Sequence, residues 1–93
     1  MTLIVDHVHT DQAMIDRLKA LQQELDAELH AELHMQDGTV LRGTVVERPS
    51  IVQAVDGNGL EGSSAIVRFD TGDAQVHLIA LDRISKVVRL GSA

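Results

Sequence analysis

The sequence predicts a mainly β fold: a small, strongly bent five-stranded barrel preceded by one N-terminal α-helix. Three observations carry this reading. One apolar stripe at helical spacing lies near the N-terminus, and about five short β-rich segments joined by tight turns follow it. One of those segments contains an internal glycine, Gly43, of the kind that marks a sharp bend or a close backbone approach. Helices do not alternate with strands, which argues against βαβ units. At 93 residues the chain makes one domain, 1–93. A domain this short buries only about two-thirds of its unfolded surface, which leaves room for stabilisation by oligomerisation.

The elements follow in order. Thr10 is placed to cap a helix beginning near Asp11, where an acid suits the helix dipole. Met14, Leu18, Leu21, Leu25 and Leu29 then recur at steps of four, three, four and four, and Arg17, Lys19, Gln22, Gln23, Glu24 and Asp26 fill the other faces. This is an amphipathic helix over about 11–29 whose stripe packs on a core. Next, Ala31, Leu33 and Met35 alternate as on a strand, and the Asp37-Gly38 turn behind them points to a hairpin. Thr39 to Glu47 is β-branched around Gly43, and Pro49, the only proline, ends that strand or lies on an edge. Ser50–Val55 is a short apolar run, and the glycines and serines behind it predict a long flexible loop spanning 49–64. Ala65–Asp70 and Ala74–Ala80 read as a hairpin around Thr71-Gly72-Asp73. A short corner at Leu81-Asp82-Arg83 then leads into Ile84–Leu90. The barrel thus spans 30–90.

Composition narrows the function classes. Hydrophobic residues make up 44% of the chain and mean hydropathy is +0.04, as in ordinary globular proteins. There is no cysteine, hence no disulfide and no thiolate nucleophile. The opening Met1–His7 has no basic region and too short an apolar run for a secretory leader, and no stretch approaches the ~20 apolar residues of a membrane span. A cytoplasmic protein with no membrane partner is expected. The net charge is −6, and all of it sits in residues 1–37, which hold eight acids and two bases; residues 38–93 are balanced. That balance argues against a broad phosphate-binding face and against DNA, because nonspecific affinity comes from Lys and Arg releasing counterions.

With the elements in place, Leu33-x-Met35-x-Asp37-Gly38-x-Val40-x-x-Gly43-x-Val45 resembles the first motif of the Sm/Lsm superfamily, to which the bacterial RNA chaperone Hfq belongs. The end of the chain, Val76 to Val88, resembles the last two Hfq strands, where a short corner precedes an Ile-Ser-x-Val-Val strand. The helix ahead of the barrel also matches the family order. The resemblance covers roughly 11–48 and 64–90 and implies an Sm-like (SH3-like) barrel. The departures fall where that family binds RNA. Its Asp-aromatic-x-x-Asn loop is replaced by Glu47-Arg48-Pro49 and the stretch through Ser64. Its Lys-His pair falls on Leu81 and Asp82. Single-strand recognition leans on stacking platforms worth about 1–3 kcal/mol per base. The only aromatic here, Phe69, sits in a strand and is read as core.

Candidate sites follow. Gln75–Ala80 has no lysine or proline guarding it, and an open edge there presents unpaired backbone to another chain. Sm-like proteins join subunits by pairing such edges. The resemblance therefore implies a homo-oligomer interface using Val76, Leu78 and Ile79 on one strand and Ile84, Val87 and Val88 on the other. The expected function is non-catalytic assembly through protein–protein contacts. The alternative is RNA binding through a small basic patch of Arg42, Arg48, Arg83, Lys86 and Arg89. His30, Glu32 and His34 share one face of a strand, but alternation already puts them on the solvated side, so no metal site is expected. His7 and His9 read as an exposed pair in a frayed N-terminus. No Gly-x-Ser-x-Gly elbow, P-loop or dinucleotide fingerprint is present, so no enzyme and no cofactor are expected.

Overall fold

A computed structural model describes residues 3–92. Its elements are a helix α1 (Gln12–Glu24) and strands β1 (Leu29–Met35), β2 (Val40–Val45), β3 (Ser50–Val55), β4 (Glu61–Asp70), β5 (Val76–Ala80) and β6 (Ile84–Ser92). A single 3₁₀ turn, Leu81–Arg83, joins β5 to β6. All pairings among these strands are antiparallel. The six strands form five positions in the sheet. Ile66 of β4 pairs with Ser50 and Ala80, and Asp70 pairs with Thr44 and Val76. Hence β2 and β3 share one edge of β4, opposite β5, as two halves of one strand bent at 46–49. The mainly β, five-position bent barrel behind one helix is the fold class the sequence predicts.

The long loop expected at 49–64 is instead the β3–β4 hairpin, closed by a short tip. Its register runs from Ser50 with Ile66 to Val55 with Glu61. Asp56 builds the tip: its Oδ1 accepts the Asn58 and Leu60 N–H groups at 2.8 and 3.0 Å. Gly62, Ser63 and Ser64, loop-like in composition, are buried strand residues. Two boundaries also differ at the helix. The residue that flanks its start is Asp11, not Thr10, and no side chain caps it. The helix stops at Glu24, and Glu28 takes a left-handed conformation (φ 66°) that turns the chain into β1. Leu25 and Leu29 stay buried all the same, because the stripe continues through the turn.

The core fills the space between α1 and the curled sheet. Leu18, Leu21 and Leu25 close one end over Leu29, Ala31, Leu33, Val45, Val67, Phe69, Ile79, Leu81 and Ile84. Fully burying each large side chain contributes about 1.5–3 kcal/mol relative to exposure. Phe69 is wholly buried, as its strand position predicts. Polar contacts seat the helix: Gln22 donates to the Pro49 carbonyl at 2.9 Å, and Arg17 to the Ile84 and Ser85 carbonyls at 2.7 and 3.1 Å. Among the described residues no helix is long and apolar enough to cross a membrane.

Gly43 makes the bend possible. A Cβ there would lie 2.2 Å from the Asp70 carbonyl oxygen and 3.0 Å from the Phe69 ring. The first neighbour is backbone and cannot rotate away, so β2 must part from β4 if a side chain is added. Gly43→Ala is expected to cost ~3 kcal/mol, near the upper end for overpacking. Urea denaturation measures this, and Gly57→Ala, where nothing lies within 4 Å of the added carbon, serves as the control with little change.

Candidate functional site

Carboxylates of the acidic N-terminal third reach four of the five cations proposed from sequence. Arg42, outward on β2, is bonded through both Nε and Nη2 to Glu32 of β1, its register partner. Arg48, in the β2–β3 bend, bonds Asp26 and donates to Gln23 Oε1 at 2.9 Å. Arg89 of β6 comes to the same place. It donates to the Glu24 carbonyl at the helix end at 2.7 Å and lies 3.5 Å from Asp26. Arg83, on the 3₁₀ turn, stands 3.9 Å from Asp6. Lys86, exposed on β6, has no ion pair among the described residues. Exposed pairs of this kind contribute about 0–1 kcal/mol each. Their larger effect is to orient the helix and to quench the arginines' field.

The outer face of β1 holds the polar cluster that strand alternation predicts. His30 Nδ1 lies 2.8 Å from the Thr44 hydroxyl, and His34 Nε2, buried without a hydrogen-bond partner, is 3.5 Å from Glu32. The Arg42 guanidinium holds the Glu32 carboxyl below the usual glutamate range. At the β4–β5 turn the Thr71 hydroxyl, with His77 and the Gln75 N–H, holds Asp73 below the usual aspartate range. Among the described residues no three His, Asp or Glu side chains converge on a metal position.

The open strand edges are the feature that points outward. Among the described residues β5 pairs only with β4 and β6 only with β1, so the barrel does not close between them. Arg17 covers the first β6 carbonyls, and the uncovered stretch starts at Lys86. Val76 and Leu78 project outward, Leu78 with 71% of its surface exposed. Two residues expected at this interface do not present their side chains there. Ile79 is on the inward phase of β5, and Ile84 enters β6 pointing into the core, so both are buried. Val87 packs against the same core, and Val88 is half-buried.

A family profile described as "Domain of unknown function (DUF3247)" matches residues 2–90. The chain belongs to the DUF3247 family. Among solved structures it is similar to XC5848 from Xanthomonas campestris, a protein described as adopting a novel variant of the Sm-like motif. The two are 34% identical with a TM-score of 0.88, over 95% of this chain and 97% of that one. The Sm-like fold is therefore shown for this DUF3247 domain. Among curated proteins no match was found.

Sequence reasoning missed the N-terminal segment of the DUF3247 domain. Residues 3–9 are not frayed but clasp the β3–β4 hairpin. Val55 exchanges backbone bonds with Leu3 and Val5, both 2.9 Å, on the β3 side, and Ser63 with His9, both 2.8 Å, on the β4 side. Gly62 lies beneath the crossing, where a Cβ would meet the His9 carbonyl oxygen at 2.8 Å. His9 is also tied to Asp82 of the 3₁₀ turn, Nε2 to Oδ2, at 3.0 Å. The Leu3-Ile4-Val5 run was the available signal, and it is too short to read as a strand. For the polar face, Arg42→Gln is expected to raise the Glu32 pKa toward the ordinary glutamate value, as read by carboxyl-carbon NMR titration. A depressed carboxylate contributes stability above its unfolded pKa that is lost as pH falls through its folded one. The wild type should therefore keep this small contribution to lower pH than the variant.

Proposed function

We propose that this DUF3247 domain is a non-catalytic assembly module whose copies associate edge to edge, β5 of one against β6 of the next. The observation that carries the reading is the pair of unpaired edges on one sheet, each long enough for a ladder. Side chains support it. Exposed Val76 and Leu78 flank the β5 edge, and exposed Asp70 stands at the same end of the sheet. Lys86, without an ion pair among the described residues, stands on β6 where the free edge begins. RNA binding is the weaker reading. Four of its five candidate cations lie within 4 Å of carboxylates of the same chain, and the only phenylalanine, tyrosine or tryptophan ring, Phe69, is buried and offers no face to a base.

Light scattering tests the assembly directly. At tens of micromolar the wild type is expected as an oligomer. Val76→Lys with Leu78→Lys, both at exposed positions, is expected to weaken association at least tenfold with the circular dichroism spectrum unchanged. A strictly monomeric wild type overturns the reading. For RNA, fluorescence anisotropy with labelled A-rich and U-rich oligomers at low salt is expected to show no micromolar binding. Tight binding that falls steeply with added salt would favour the second reading.

A further inference from the structure

The outer face of the sheet carries an apolar strip with unlike charges at its two sides. Val67 and Phe69 of β4 point into the core, so Ile66 and Arg68 point out. Their register partners continue this face. Ile66 pairs with Ala80 and Arg68 with Leu78, and Ser64, in the same phase, pairs with Val52. Two hollows open here, one of about 570 Å³ toward the 3₁₀ turn and one of about 280 Å³ toward the bend at 46–49. Leu3, Ser64 and Ile66 line both and so stand between them. Five of the ten large apolar side chains exposed among the described residues line the hollows: Leu3, Ile4, Val52, Ile66 and Leu78. Monomeric proteins rarely leave a large apolar patch contiguous and open.

Charge divides across this strip. The larger hollow has two acids, Asp6 and Asp82, to one arginine, Arg83. The smaller has two arginines, Arg48 and Arg68, to one acid, Glu47. Asp6 and Arg68 are free to turn outward. Among the described residues Asp6 has Arg83 at 3.9 Å and Arg68 has Glu47 at 3.4 Å, and at least half of each side chain is exposed.

We infer that this face is a second self-association surface, on which two copies pack face to face about a two-fold axis, Asp6 of each toward Arg68 of the other. The charges select the occupant. A face with excess acid on one side and excess base on the other is complementary to itself after half a turn. A uniformly acidic or basic partner would be attracted at one side and repelled at the other. The same half turn sets Ile4, the most exposed of the five apolar side chains at 72%, over Val52 in the smaller hollow of the other copy. Apolar contacts then fill the middle and charges the rim, as in stable interfaces. This contact is made by side chains of the outer face and does not rest on the pairing of the β5 and β6 edges, which is made by backbone.

The test is sedimentation velocity of the whole protein over a range of micromolar concentrations. Arg68→Glu and Asp6→Arg are each expected to weaken self-association at least tenfold, because the two-fold repeats each substitution and brings like charges together. Equal amounts of the two variants, mixed, are expected to associate as the wild type does. In the mixed pair one contact is native and the other is the same pair with its signs reversed. Rescue by mixing cannot come from a folding defect, so it separates a lost contact from a lost fold. Val52→Lys, at an exposed position away from both free edges, is expected to weaken association by a similar factor. Full-strength association in all three variants, or a loss that mixing does not reverse, overturns the inference. The first of these results leaves the edge pairing standing if Val76→Lys with Leu78→Lys still disrupts assembly. A wild type that stays a single chain overturns both.

Discussion

The approach of the Gly43 backbone to the Asp70 carbonyl is the constraint on which the rest of this barrel depends. With a single aromatic residue in 93, the core cannot be filled by several large rings, and the sheet must curl tightly around Phe69 instead. Curling requires β2 to pass within contact of the β4 backbone, which only a residue without Cβ permits. Beyond that point the bend at 46–49 redirects the strand, and β3 continues along the same edge of β4. One long strand edge is thereby used twice. The sheet then runs out of partners before it closes, leaving β5 and β6 as its ends. The open edges and the tight core are two results of the same geometry.

The charge asymmetry acquires a structural meaning in this frame. Asp26 and Glu32 belong to the acidic third, and their partners Arg48, Arg89 and Arg42 belong to the balanced remainder. The N-terminal acids are thus matched to barrel arginines across tertiary contacts. Each exposed pair adds little energy, but the two pairs on Asp26 hold the chain just past α1 against the barrel, and the third ties β1 to β2. They also leave the barrel with little uncommitted positive charge. A nucleic acid would have to displace intramolecular carboxylates, at close range and high effective concentration, before it met a guanidinium.

Much of this was legible in the residues, for local reasons. The stripe Leu18, Leu21, Leu25 and the alternation Leu29, Ala31, Leu33 report burial directly, because periodicity is set by which face meets the core. Gly43 could be read as a bend for the same reason. The β3–β4 hairpin could not be read. Gly62, Ser63 and Ser64 look like loop, yet the N-terminal segment crosses at Gly62, where a Cβ would clash, and bonds Ser63, a contact over fifty residues away in sequence. The inward phase of Ile79 and Ile84 and the partners of the arginines were hidden on similar grounds. Ile79 and Ile84 belong to strands whose phase is fixed by a turn, and the arginines' partners lie on other elements.

The N-terminal segment is the element most dependent on others and least on itself. Its backbone is held at two points, Val55 and Ser63, and its side chains by one bond, His9 to Asp82. Few backbone bonds and exposed apolar side chains are the marks of a segment that opens before the rest of a domain does. Leu3 and Ile4 are exposed, and with Leu78 they line one groove beside β5. Further along, the same segment presents His7 and His9 to the adjoining methionine-lined cleft, which shares His7, Met35, Asp82 and Arg83 with that groove. The strand edge and the cleft therefore share a wall seven residues long. Because that wall has little stability of its own, anything that orders it at the strand edge also orders it along the adjoining cleft. The coupling needs no path through the core, since the core residues stay where Gly43 and Phe69 put them.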